Sequence, residues 1–306
     1  MYWTVYHKVI KKPPLNGYDF AVNLIGCNRA FQYDLALKSL DIAAKASHKV
    51  IVFASVDCND QGTIDVVKKW QYNTSSNIRV VYLESYQMHT HKQPARLDER
   101  VARHWLSANN RIFSLGFYDD VIYLESDHIV APDFFDATKS LLSHPLSKDF
   151  FMLNLGCHGR CHGKISNDPS TITVYPLQNI GVIYRRQGWE DFINNRIDDF
   201  CSMYGDWDYN LHTVLGHNSR SLGYTMPRVK HTTTCYTSRR HYDHGCEDPD
   251  NLHQKEFDEF IKKKPRRMRH QLNLVGEDSK KMTGSIKHDA DQETKKLCLE
   301  ASRQVI

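Results

Sequence analysis

From residue 19 onward, apolar positions alternate between short, nearly continuous runs and longer stretches with a helical period. Residues 19–25, 49–55 and 78–84 read as strands, and 31–46 and 64–70 as helices. Strands that are apolar throughout and alternate with helices imply an α/β fold, a mostly parallel central sheet covered by helices. A helical stretch over about 95–117 comes next, followed by Asp119-Asp-Val-Ile-Tyr-Leu-Glu125, a fourth strand that ends on acids. In open α/β sheets ligands bind beyond the carboxyl ends of the strands, so those acids stand where chemistry is expected. Asn28, between the first strand and the first helix, is the expected N-cap. Farther on, the pattern predicts a helix from near Pro132, a strand at 150–155, a polar loop to Pro176, an apolar run at 180–184 and a helix from about Trp189. There is no internal repeat. Residues 1–16, with adjacent prolines in Lys11-Lys-Pro-Pro14, read as a leader or stem remnant. The charged last fifty residues, densest in Lys262-Lys-Lys-Pro-Arg-Arg-Met-Arg-His270, read as a solvated surface tail.

Composition narrows the class without naming it. The 306 residues suffice for a buried core, and 41% hydrophobic with 25% charged residues is a globular balance. A formal charge of +4 is too small a surplus to argue for nucleic acid as a partner. No run approaches the roughly 18 apolar residues of a membrane span, and residues 1–10 are too short and polar for an anchor or signal peptide. The eight cysteines are spaced unlike paired zinc-site motifs, which leaves lumenal disulfides and buried thiols both open.

The most informative string is Val121-Ile-Tyr-Leu-Glu125-Ser126-Asp127-His128. Acids one residue apart at a strand end face one way, an arrangement suited to a hard divalent cation on a diphosphate, although most short acidic pairs are solvated loop residues. In Tyr204-Gly-Asp206-Trp207-Asp208-Tyr209 the carboxylates lie between aromatic rings, which suits a general base; the alternative is a helix start with Asp206 as cap and the aromatics as core. Histidines cluster at His89 and His91, His158 and His162, His231, and His241 and His244. Cys157-His-Gly-Arg-Cys161-His162 lacks a second ligand pair at finger spacing and reads as a loop disulfide or free thiols. Without GxGxxG after the first strand, GxxxxGK[ST] or GxSxG, the usual dinucleotide, P-loop and serine-hydrolase readings lose their support.

With these strings in view, the chain resembles the N-acetylglucosaminyltransferases that build complex N-glycans, most closely the type II family, from about Asp19 to Cys298 with gaps. Tyr123-Leu-Glu125-Ser-Asp127-His128-Ile-Val-Ala-Pro-Asp-Phe-Phe135 is similar to that family's strand, acidic triplet and turn. Cys27-Asn28-Arg29 resembles its donor-binding turn, and Ser55-Val-Asp57 the turn whose Asp meets the uracil. Arg100-Val-Ala-Arg-His104-Trp105 is nearer to the type I sister enzyme, whose corresponding His touches the donor. Asn179-Ile-Gly181 resembles a segment beside the transferred or acceptor sugar. Trp207-Asp208-Tyr209 resembles the segment that holds the catalytic base, and Pro227-Arg-Val-Lys-His231 the one whose His is a second manganese ligand. The resemblance pairs Cys201 with Cys298 and Cys235 with Cys246, and so implies an oxidising lumen. Two departures stand out. Ser126 occupies the middle of the triplet, and the family's long insertion before the donor-binding helix is largely missing.

What the resemblance implies is a GT-A type fold that inverts the anomeric centre. It moves GlcNAc from UDP-GlcNAc to the 2-hydroxyl of the α-1,6-arm mannose of an N-glycan. Asp127 and His231 are its expected Mn2+ ligands and Asp208 its base. Cys27, Asn28, Arg29, Asp57, His104, Glu125 and Ser126 are expected at the donor, and Asn179 and Trp207 at the acceptor or transferred sugar. A single catalytic domain is expected over 17–306, with 17–135 as nucleotide-sugar half, 136–253 as acceptor and base half and 254–306 as charged extension; the expected location is the Golgi lumen or secretory pathway. Another GT-A transferase, type I-like or O-mannose-directed, and a non-catalytic sugar-nucleotide or glycan-binding relative are the alternatives.

Overall fold

The structure is a computed structural model that describes residues 15–57, 59–84, 97–156, 168–176, 179–203, 205–216, 220–232, 249–262, 273–277 and 292–303. The first half builds a parallel block: β1 (Phe20–Gly26), α1 (Ala30–Ala44), β2 (Val50–Val56), α2 (Gln61–Gln71), β3 (Ile78–Glu84), α3 (Leu97–Ser114) and β4 (Asp120–Glu125). A short strand β5 (His128–Val130) and α4 (Phe134–Leu142) lead into β6 (Met152–Asn154), β7 (Thr171–Pro176) and β8 (Val182–Arg185). The helical turn α5 (Arg186–Gly188) runs through a π-helical turn (Trp189–Ile193) and a 3-10 turn to α6 (Ile197–Cys201) and α7 (Trp207–Leu215). Next come β9 (Arg220–Tyr224), β10 (Val229–His231), α8 (Pro249–Lys262), β11 (Asn273–Glu277) and α9 (Gln292–Ser302).

Among the described residues the strands form a nine-stranded sheet in the order β11-β7-β9-β6-β8-β4-β1-β2-β3, and β5 pairs with β10 in a separate ribbon. The pairings β3–β2, β2–β1, β1–β4, β6–β9 and β11–β7 are parallel; β8 runs antiparallel to both β4 and β6, and β7 to β9. This is the mostly parallel α/β sheet flanked by helices expected above.

Alternate residues of each central strand feed opposite cores. Val22, Leu24, Val52, Ala54, Ile122 and Leu124 pack with α1, α2 and α4. Ala21, Ile25, Ile51, Phe53, Val121 and Tyr123 pack with α3, α7 and α9. Burial on both faces explains why these strands read as unbroken apolar runs. Register places the chemistry: Ile25 lies level with Ser55 on one side and with Glu125 on the other, so the residues after β1, β2 and β4 emerge at one edge.

Several expectations need correction. Residue 29, not Asn28, precedes α1, and no side chain caps that end; the Arg29 N–H is met instead by Thr63 Oγ1 at 3.2 Å. The segment after β4 is not simply a turn into a helix, because β5 intervenes and pairs with β10, a partner about a hundred residues away. Residues 171–176, expected in a loop, form β7, whose alternation of Thr with Ile and Val is completed by β9. Nor is the last fifth a free tail where it is described. Leu35 and Ile129 bury Phe257 of α8, while α9 is tied to α6 by the Cys201–Cys298 disulfide. That pairing is the long-range one expected; Cys235 and Cys246, with Cys157 and Cys161, lie outside the described residues. No described helix is long and apolar enough to cross a membrane.

The disulfide closes a loop with a sequence separation of 97, long enough for a large loss of unfolded-state entropy. Replacing Cys201 and Cys298 together by Ser is expected to lower the unfolding free energy by about 2–4 kcal/mol in urea titrations. Unchanged stability would show that the cross-link adds nothing to the folded state's advantage.

Candidate active site

Asp127 sits in the turn between β4 and β5, 2% exposed. Its main chain is tethered to the residue after β10: the Thr232 N–H donates to the Asp127 carbonyl at 2.8 Å and the Thr232 hydroxyl at 3.1 Å. The β5–β10 ribbon brings His231 level with His128, so the imidazole of His231 reaches the carboxylate, Nε2 to Oδ2 at 3.4 Å. Arg29 Nη1, from the turn after β1, also donates to Asp127 Oδ2. Burial opposes charge on Asp127, but the facing His231, then Arg29 and His128, outweigh it and hold the carboxyl below its usual range.

Asp127, His128 and His231 offer ligand atoms within 4.8 Å of one another. His128 is the weakest of the three, because its Nδ1 accepts the Glu125 N–H at 3.0 Å and its neutral form then carries the proton on Nε2. The other two fit a divalent cation. Asp127 Oδ1 is buried and accepts no hydrogen bond among the described residues, a costly state for a carboxylate oxygen that a ligand would relieve. One carboxylate and one imidazole are ligands that manganese accepts.

Glu125, half-buried at the end of β4, is a different kind of acid. The Tyr123 hydroxyl and the Trp207 indole N–H both donate to its Oε1, at 3.0 and 3.2 Å. Burial, followed by the nearby Asp127 and Asp206 carboxylates, pushes its pKa up to about 8. Two acids one residue apart thus take opposite states, Asp127 ionised and Glu125 protonated near neutrality. Ser126 between them is buried, and its N–H extends the β1 pairing to Ile25 O at 2.8 Å. Gly26 makes room for it, since a Cβ there would lie 2.6 Å from Ser126 Cβ.

The indole bond from Trp207 to Glu125 also fixes α7. Asp206 caps that helix, its Oδ1 accepting the Trp207 N–H at 2.7 Å. Trp207 is 2% exposed and stacks on Trp105 of α3, with ring centroids 5.3 Å apart and planes at 12°. The cap-and-core alternative therefore holds for Asp206 and Trp207, whose ring faces the core while only its N–H points at the site. Asp208, next along, is half-buried, with Oδ1 accepting the Tyr209 N–H and Oδ2 accepting from Asn179 Nδ2 at 2.8 Å.

At the β1–β2 end, His104 Nε2 pairs with Ser55 Oγ at 2.8 Å, and burial lowers its pKa despite the Asp57 charge. Asp57 follows β2, is 5% exposed and faces Arg100 at 3.5 Å. Asn28 is exposed on the turn after β1, and Cys27 is disulfide-bonded. The structure therefore brings Arg29 and His231 onto Asp127, joins Glu125 to the start of α7 through the Trp207 indole, and sets Asn179 against Asp208. Thr232, Ser55 and His128 also help build the site. Of these, Ser55 and His128 adjoin recognisable strings, whereas Thr232 carries no sequence signal because its role is a cross-strand hydrogen bond.

Glu125 links protonation to stability. Its folded-state pKa exceeds the unfolded value, so the folded state holds this proton more tightly. The contribution is full below about 4.5 and is lost as pH rises through about 8. Glu125→Gln retains the acceptor for Trp207 and Tyr123 but cannot ionise. With EDTA present, its melting temperature is expected to fall less than wild type between pH 5.5 and pH 8.5. Parallel curves would remove the buried proton from Glu125.

Comparison with known proteins supplies the family. No curated protein matches the chain. Among solved structures, the mannosyltransferase PcManGT from Pyrobaculum calidifontis, in complex with GDP-Man and Mn2+, is 13% identical, with a TM-score of 0.42 over 71% of this chain and 59% of that one. TarS from S. aureus in complex with UDP-GlcNAc is 11% identical, with a TM-score of 0.40 over 75% and 61%. The chain spans about three fifths of each, and likenesses this loose carry no argument about its chemistry. The GNT-I family model matches residues 4–150, and the model for N-acetylglucosaminyltransferase II (MGAT2) matches residues 99–295, a span that includes β4, the acidic turn, α7 and His231. The chain thus belongs to the N-acetylglucosaminyltransferase II family of glycosyltransferases.

Proposed function

We propose that the protein is a β-1,2-N-acetylglucosaminyltransferase, transferring GlcNAc from UDP-GlcNAc to the 2-hydroxyl of the α-1,6-arm mannose of an N-glycan with inversion at the anomeric carbon. The observation that carries this reading is the approach of His231 to buried, ionised Asp127 at 3.4 Å. Asp127 and His231 would hold Mn2+, which when bound supplies Lewis-acid neutralisation of the diphosphate leaving group. Arg29 and Asn28 line the nucleotide, Asp57 meets the uracil and neutral His104 steadies the donor. Glu125, protonated, can donate to a sugar oxygen, and Trp207 holds it in place.

Asp208 takes the proton from the acceptor hydroxyl as that oxygen attacks from the face opposite the departing UDP. The proton ends on the Asp208 carboxyl, and the C1–O bond to UDP breaks as the new glycosidic bond forms, so one displacement inverts the centre. A Golgi lumen location agrees with the Cys201–Cys298 disulfide, since such bonds persist in oxidising compartments.

Asp208→Asn is expected to keep UDP affinity and lose transfer by about 10²–10⁴, the scale of a general base; near-normal turnover would remove Asp208 from the role. Asp127→Ala is expected to abolish the manganese dependence of UDP binding in calorimetric titrations with and without EDTA. Equal affinity under both conditions for wild type would overturn the metal assignment. Acceptors that differ only in whether the α-1,3 arm already bears GlcNAc test the branch: transfer that requires it supports type II specificity.

A further inference from the structure

We propose that Asn179 is a positioning residue for the Asp208 carboxylate, carried on a backbone wedge that also sets His231. The inference deepens the reading of Asp208 as base and rests on it.

The wedge is built from one joint. The Leu155 N–H, just beyond β6, donates to Gly181 O at 2.8 Å, while Leu155 O accepts the Arg228 and Val229 N–H groups at 2.6 and 3.2 Å. Gly181 adopts φ +59, and a Cβ there would stand 2.4 Å from Val229 Cγ2. Only glycine lets the 180–181 backbone lie this close to the start of β10. Ile180, 2% exposed, is pinned in the core, so Asn179 has little freedom to swing. Two residues past Val229 along β10 stands His231, opposite His128. Asn179 and His231 thus leave the same joint in two directions, one toward α7 and the other toward Asp127.

At the α7 end, the Asn179 amide donates to Asp208 Oδ2 at 2.8 Å and the Tyr209 N–H donates to Oδ1 at 2.7 Å. A donor on each oxygen fixes the carboxylate plane and the direction of its remaining lone pairs. A base must lie within hydrogen-bond reach of the proton it removes, and a misplacement of about 1 Å can cost about 10²-fold in rate. Asn179 therefore acts through Asp208 instead of on the proton itself.

The test is steady-state kinetics of Asn179→Ala and of Asn179→Asp, which keeps the side-chain size but cannot donate when ionised. Both are expected to lower kcat by about 10²-fold with acceptor KM and UDP affinity within about twofold of wild type. In an Asp208→Asn background, Asn179→Ala should cause no further loss, because the group it positions has lost its function. Unchanged kcat with a raised acceptor KM would overturn the proposal and make Asn179 a sugar contact. An independent further loss of about 10²-fold in the double variant would overturn it as well. If Asp208→Asn itself turns over normally, the base assignment falls; if it is inactive while both Asn179 variants are normal, only the positioning role falls.

Discussion

A carboxylate removed from water must be met by positive charge or it will not stay ionised, and Asp127 at 2% exposure is the extreme case among the described residues. The two side chains that face its carboxylate come from opposite ends of the chain, Arg29 from the turn after β1 and His231 from β10. Meeting that one charge requires the parallel block and the second half of the chain to close on each other. The tether from Thr232 to the Asp127 carbonyl makes the closure rigid. The same demand explains Glu125. Burial, together with the Asp127 and Asp206 carboxylates nearby, disfavours a second charge two residues earlier, and the proton stays on.

Rigidity elsewhere serves the same junction. Trp105 stacks on Trp207 and on Phe200, joining α3, which bears His104, to α7, which bears Asp208. The indole N–H of Trp207 then links this aromatic column to Glu125 at the end of β4. The positions of His104, Asp127 and Asp208 are therefore fixed by three kinds of contact: strand register, aromatic stacking and the glycine-lined joint at Leu155. None depends on an exposed side chain for its placement. Stacked, buried rings lose little when a ligand binds, which preorganises the site.

Much of the scaffold was legible along the chain. The parallel block from β1 to β4 could be read because its strands are apolar on both faces, a pattern that survives without knowledge of any partner. The strings that hold Asp127, Asp208 and His231 were legible because each is a short contiguous run that the family resemblance can match. Less legible were the pieces whose structure is defined by distant pairing. The strand β5 has only three residues, β7 looks like a polar loop until β9 lies beside it, and α8 looks like a solvated tail until Phe257 meets Leu35 and Ile129.

Taken by itself, the sequence determined the alternation of buried strands and helices, the acids at the end of β4 and the family resemblance, because each is written in local order. Only the tertiary structure decided that Glu125 keeps its proton while Asp127 loses its own, how near His231 comes to the Asp127 carboxylate and which side chain hydrogen-bonds Asp208. Those outcomes depend on charge, burial and hydrogen bonds between residues far apart in the chain, and such distances exist only once the chain has folded.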